Sequence, residues 1–175
     1  MVRSSGGKPS NVHTVMTGRK RRRHDLIEVR ESRIQGRGVF ALRRIRKGQR
    51  IIEYAGERIT PEEVDRRYDD LAMDRHHTFL FEVDENTIID GAVGGSAASY
   101  INHSCDPNCE AVDVDGRIFI YAARNIQPGV ELTYDYQYDL DEALTEELKR
   151  RYPCHCRARR CRGTILVDKR RRRAG

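Results

Sequence analysis

Most of the reactive chemistry in this 175-residue sequence lies in three short segments, and the first is a group of thiols. Cys154-His155-Cys156 and Cys161 bring three cysteines into a strongly polar stretch where small buried hydrophobes are not expected. Zinc takes four thiolate or imidazole ligands in a tetrahedron, and this stretch supplies three. The fourth must come from Cys105, Cys109, His103 or His155. A ligand from residues 103–109 would staple the C-terminal segment onto the body. The cysteines number five, an odd count, and no export signal precedes them, so a metal site is favoured over a disulfide framework. Free thiols, reactive or inert, are the alternative.

The second segment is Tyr100-Ile101-Asn102-His103-Ser104-Cys105-Asp106-Pro107-Asn108-Cys109, dense in amides, imidazole, hydroxyl and thiols. Such residues also make turns and nothing more. Its counterpart is Glu131-Leu132-Thr133-Tyr134-Asp135-Tyr136, whose tyrosines either present hydroxyls at an aromatic-walled pocket or pack as amphipathic core residues. The third is Gln35-Gly36-Arg37-Gly38-Val39-Phe40. Two glycines around one residue allow a tight turn and a close approach of backbone to ligand, though an ordinary strand-joining turn explains them as well. The third glycine and following helix of a dinucleotide site are missing.

These segments need elements to hold them. Leu26–Val29, Arg50–Tyr54, Thr78–Val83 and Arg117–Tyr121 read as strands, with a turn at Asp113–Gly116 leading into the last. Thr60-Pro61-Glu62-Glu63 starts a helix running to about Leu71. A second helix is expected from Asp141 to Arg151, with acids early and Lys149, Arg150 and Arg151 late. Many short strands with two modest helices indicate a mainly β domain.

Composition narrows the class. Apolar residues make up 38% and charged residues 34%, with no apolar run long enough to span a membrane and no signal-peptide core. The net charge is +6, with +7 in residues 1–24 and +4 in residues 168–175, which leaves −5 on residues 25–167. An acidic body favours basic ligands, while basic tails attract nucleic acid or serve only to solubilise. Residues 1–24 read as a disordered basic tail and 167–175 as a second one, flanking a domain at 25–140 and a helix with the thiol segment at 141–166.

Together and in this order, Gly36-Arg37-Gly38, Glu53-Tyr54-Ala55-Gly56-Glu57, Asn102-His103-Ser104-Cys105, Glu131–Tyr136 and Cys154-x-Cys156-x4-Cys161 resemble the SET-domain protein-lysine methyltransferases with a post-SET zinc segment. The resemblance covers residues 25–166 and is greatest to the small stand-alone members encoded in bacteria. It implies a β-clip fold of short curved sheets with a knot-like C-terminal crossing. It also implies S-adenosylmethionine as methyl donor and Zn2+ in the post-SET segment.

On the matching positions, Gln35, Gly36, Arg37, Gly38, Phe79, Asn102, His103 and His155 would face the cofactor. Cys105, Cys154, Cys156 and Cys161 would hold zinc, leaving Cys109 free. Tyr136 would be the catalytic tyrosine, and Tyr134 would limit how many methyls fit, favouring monomethylation. Phe79 stands where many members have a tyrosine, and Ser99-Tyr100 where Arg-Phe is frequent. The implied substrate is a lysine of a basic protein, histone or histone-like. The implied location is the bacterial cytoplasm, near the nucleoid, or the nucleus and chromosomes in a eukaryote or infected host. A non-catalytic zinc module that binds chromatin or nucleic acid is the alternative.

Overall fold

The computed structural model describes residues 25–68, 79–138, 140 and 143–167. The expected basic tails at 1–24 and 167–175, apart from Val167, which is buried and donates its N–H to the Tyr138 carbonyl, the end of the first expected helix at 69–71, the strand start at Thr78 and residues 141–142 lie outside the described residues. The described chain is mainly β. It runs β1 (Ile27–Glu31), β2 (Arg37–Ala41), β3 (Arg50–Glu53), β4 (Glu57–Ile59), α1 (Pro61–Arg67), β5 (Leu80–Asp84) and β6 (Thr87–Asp90). A 3-10 turn at Ala97–Tyr100 then leads to β7 (Asn102–His103), β8 (Cys109–Val114), β9 (Arg117–Ala122), β10 (Glu131–Tyr134) and α2 (Glu146–Arg151).

The strands form three small sheets, in the orders β1-β2-β10-β7, β3-β9-β8 and β4-β6-β5. Central strands carry the apolar load. Val39 to Ala41 of β2 and Ile118 to Ile120 of β9 are buried on both faces, so neither strand alternates along its length. Their side chains meet Ile45, Tyr54, Ile101, Ile126 and Leu132 in one core. A second cluster, built on Tyr152, Ile165 and Leu166, packs the C-terminal segment against Tyr136 and Tyr138.

Local chemistry sets the boundaries. The β8–β9 hairpin turns at Asp115 and Gly116, both at positive φ, while Asp113 Oδ1 accepts the Gly116 N–H at 2.7 Å. The α1 helix is capped by the Thr60 hydroxyl but stops earlier than the expected Leu71. Tyr68 leaves the helix in an extended conformation and donates its hydroxyl to the buried Asp90 carboxylate at 2.7 Å. Likewise α2 starts at Glu146 and not at Asp141, because the Thr145 hydroxyl accepts the Leu148 N–H and so defines the cap. The expected turn at Gln35–Phe40 closes by Gly36, and Arg37 already belongs to β2.

Candidate active site and thiol cluster

Parallel pairing of β7 with β10 places Thr133 opposite Asn102 and Tyr134 opposite His103. The two sequence segments that looked reactive thus meet side by side, inside the protein. From β7 the buried Asn102 amide reaches back to the Gly-x-Gly segment, donating to the carbonyls of Gln35 at 3.3 Å and Arg37 at 3.0 Å. It also lies 2.8 Å from Glu131 Oε1, which accepts the Ser32 hydroxyl at 2.7 Å. Glu131 sits so close to Gly38 that a Cβ there would collide with the carboxylate. Gly36 does the opposite. Its φ of +48° turns the chain, and nothing stands within 4 Å of where a side chain would be, leaving an open cradle of backbone.

Arg37 projects from this segment and stacks its guanidinium 3.9 Å from the centre of the Tyr100 ring, with the Tyr100 hydroxyl as a hydrogen-bond partner. That pairing accounts for a tyrosine at position 100. Ser99 donates its hydroxyl to the Ser96 carbonyl at 3.0 Å and so closes the preceding turn.

Beyond β10 the aromatic residues converge. The Tyr136 ring lies 4.9 Å from Tyr134 and 5.3 Å from His103, and its hydroxyl donates to the Ile101 carbonyl at 2.9 Å. Phe81 lies 6.3 Å from Tyr134 and 5.2 Å from Tyr54. Burial raises the phenols of Tyr134 and Tyr54 above their ordinary range, so both stay neutral at physiological pH. Tyr54 and Phe81 escaped the sequence reading of the pocket, because both sit in segments whose alternation signalled strand first. An aromatic at each strand's inward position was the available signal. Phe79 packs edge-on against Tyr68 at 5.6 Å, and its carbonyl accepts the Tyr54 hydroxyl at 2.6 Å.

On the other side of His103 lies the thiol cluster. The sulfurs of Cys105, Cys154, Cys156 and Cys161 all lie within 4.8 Å of one another. Cys105 Sγ is 3.7 Å from Cys154 Sγ and 4.0 Å from Cys161 Sγ. Four thiolates around one zinc at ~2.3 Å would stand about 3.8 Å apart, so the spacing fits. The donor chemistry fits too. Each sulfur faces a backbone N–H: Arg162 N for Cys105, Cys156 N for Cys154, Ala158 N for Cys156 and Gly163 N for Cys161, at 3.3–3.5 Å. Such donors stabilise thiolate charge. Of the four candidates for the fourth position, Cys105 is the one the fold delivers. Cys109 is buried elsewhere, its thiol pushed up to about 12 by desolvation.

His103 joins the two regions. Its Nδ1 accepts the Tyr136 N–H at 3.2 Å, and its Nε2 faces Cys105 Sγ at 3.4 Å. Burial holds its pKa down at about 4, Asp135 opposing and Arg162 assisting, so the ring is neutral. Asp135, between the two tyrosines, is gripped by both Arg162 nitrogens at 2.6 and 2.9 Å, and Arg162 follows Cys161 directly. His155 is exposed on the thiol segment. No helix among the described residues is long and apolar enough to cross a membrane.

Comparison with known proteins agrees with this geometry. The chain is 38% identical over 165 residues to the protein named histone-lysine N-methyltransferase trithorax of Drosophila virilis, covering 89% of this chain and 4% of that one. It is 43% identical over 141 residues to the H3 lysine-4 specific histone-lysine N-methyltransferase of Saccharomyces cerevisiae, covering 77% and 12%. For human histone-lysine N-methyltransferase 2B the identity is 37% over 150 residues, covering 82% and 5%. The chain therefore spans only a small part of the length of these relatives. The family described as SET domain matches residues 36–137, from the Gly-x-Gly segment through Tyr136, and the chain belongs to the SET-domain family.

Proposed function

We propose that this chain transfers a methyl group from S-adenosylmethionine to a lysine of a basic protein, histone or histone-like, and makes mainly monomethyl-lysine. The observation that carries the reading is the pairing of β7 with β10, which puts Tyr134 and Tyr136 beside Asn102 and His103 in one buried aromatic site. Histone-lysine N-methyltransferase is also what its relatives are named.

The cofactor side would be formed by Gln35, Gly36, Arg37, Gly38, Asn102 and His103, with Phe79 and His155 at its margins. The open backbone at Gly36 offers the close approach such a ligand needs, and the exposed Arg37 cation is paired with a ring and not with a carboxylate. When bound, S-adenosylmethionine supplies an electrophilic methyl on a positively charged sulfur. The chain's own task is to present a neutral amine. A free lysine has a pKa of ~10.4 and is almost wholly protonated at neutral pH. Enclosure by Tyr54, Phe81, Tyr134 and Tyr136 strips water from the ammonium and favours loss of its proton to solvent before attack. Tyr136, anchored on the Ile101 carbonyl, orients the amine and does not act as a strong base. Holding the amine in line in this way can supply several kcal/mol of the barrier.

Cys105, Cys154, Cys156 and Cys161 would hold Zn2+, which would fix the C-terminal segment against Tyr136 and close that wall of the site. The net charge of −5 on residues 25–167 suits a substrate rich in Lys and Arg. Incubation with labelled donor and core histones, followed by mass spectrometry, should show monomethylated lysine. No incorporation into histones or other basic proteins would leave the alternative, a zinc-containing module that binds chromatin without catalysis.

A further inference from the structure

Within residues 25–167 two stretches are strongly basic and free of acids, residues 42–50 and residues 149–162, and the first lies away from the proposed reaction. The loop between β2 and β3 together with the first residue of β3, residues 42–50, carries Arg43, Arg44, Arg46, Lys47 and Arg50 and no acid. With −5 on residues 25–167 in total, +5 on 42–50 and +7 on 149–162, the remainder of that span holds −17, so the charge of the body is sharply segregated.

The loop is also rigid. Ile45 is fully buried and exchanges both backbone hydrogen bonds with Ile126 at 2.9 Å. Lys47 N–H donates to Asn125 Oδ1 at 3.1 Å, Arg46 N–H to Gln49 Oε1 at 3.1 Å, and Gly48 N–H to the Ala122 carbonyl at 2.7 Å. With Ile45 anchored inward, Arg43, Arg44, Arg46 and Lys47 are all exposed. Several arginines elsewhere pair with carboxylates: Arg67 with Glu57, Arg117 with Glu53, Arg124 with Asp106 and Arg162 with Asp135. Among the described residues, no carboxylate pairs with any of these four loop cations.

We infer that the 42–50 loop is a preformed site for the phosphate backbone of duplex DNA, holding the folded body itself on a nucleic acid independently of the basic tails. Fixed cations with no carboxylate partner among the described residues lose little freedom on binding and gain by releasing condensed counterions. Three of the four are arginines, whose planar fork matches phosphate oxygens in pairs. A bilayer is a poorer fit, since neither Leu42 nor Ile45 is exposed to insert. The −17 outside the two basic stretches would keep that part of the body away from the DNA and free to face a basic peptide.

The test uses the full chain and a fluorescein-labelled 20-base-pair duplex, with affinity measured by anisotropy across a salt series. The variant is R43Q/R44Q/R46Q/K47Q, which leaves Ile45 and its anchors in place. Four lost phosphate contacts should reduce the salt slope by about 3.6, so that wild type loses roughly 10²-fold more affinity than the variant between 50 and 200 mM salt. Free-peptide methylation, measured in parallel, should be unchanged, which separates this site from the reaction. A second variant with Arg19 to Arg23 changed to Gln should weaken binding yet keep the loop-dependent part of the slope. An unchanged slope and affinity in the quadruple variant would overturn the inference. So would a loss of binding to phosphatidylserine vesicles with none to the duplex.

Discussion

Replacing Glu131 with alanine tests whether the Gly-x-Gly segment is held from below. The carboxylate is partly buried and accepts from the Ser32 hydroxyl and the Asn102 amide, at 2.7 and 2.8 Å. Hydrogen bonds to a charged group are worth about 1.5–3 kcal/mol each. Asn102 keeps its partners at Gln35 and Arg37, so the loss should fall near the lower end for that bond. A total of about 3–4.5 kcal/mol follows, and for a chain of this size each kcal/mol moves the Tm by roughly 2–4 °C. Glu131→Ala should thus melt about 6–18 °C below wild type. Because Asn102 then loses one of the contacts that fix the Gln35 and Arg37 carbonyls, S-adenosylmethionine should also bind more weakly by isothermal calorimetry. Glu131→Gln keeps an acceptor and should fall between the two. If Glu131→Ala melts with wild type and binds the cofactor equally well, the carboxylate is not the support described.

Two further perturbations address the pocket and the thiols. Tyr134→Phe removes a buried hydroxyl that, in the proposed reaction, would restrict rotation of a methylated amine; one hydrogen bond is worth about 0.5–1.5 kcal/mol, so the product ratio should shift roughly tenfold toward di- and trimethyl-lysine. Mass spectrometry of a histone substrate reads this, and predominant trimethylation by the unmutated chain would remove Tyr134 from the role. Metal analysis should find one zinc per chain, lost in Cys105→Ser and retained in Cys109→Ser. The reverse pattern would mean the wrong cysteine closes the tetrahedron, and a strong chelator that leaves the protein's activity intact would argue against the staple.

The motifs were legible because each is a run of residues whose chemistry is dense and local. Asn102-His103-Ser104-Cys105 and Glu131–Tyr136 could be singled out on composition alone, and the three-thiol spacing of Cys154, Cys156 and Cys161 pointed to a missing fourth ligand. What the residues could not state was which segments lie together. The choice of Cys105 over Cys109, His103 and His155 depends on the β7–β10 crossing, a long-range parallel pairing with no local signature. Tyr54 and Phe81 were hidden for the same reason, since an aromatic in a strand looks alike whether it lines a pocket or fills a core. Helix ends erred where one side chain decided the matter. Tyr68 is drawn out of α1 by buried Asp90, and Thr145 caps α2 three residues after the acid pair Asp141-Glu142.

The central claim is that Tyr136 and its surroundings position a lysine amine for methyl transfer. The most direct measurement is the single-turnover rate of Tyr136→Phe on a histone substrate, with cofactor affinity and zinc content measured on the same preparation. Removing one preorganised hydroxyl from a buried site should slow the reaction by about 10²-fold or more while both other quantities stay at wild-type values. Wild-type turnover by Tyr136→Phe, with its cofactor and zinc in place, would contradict the account.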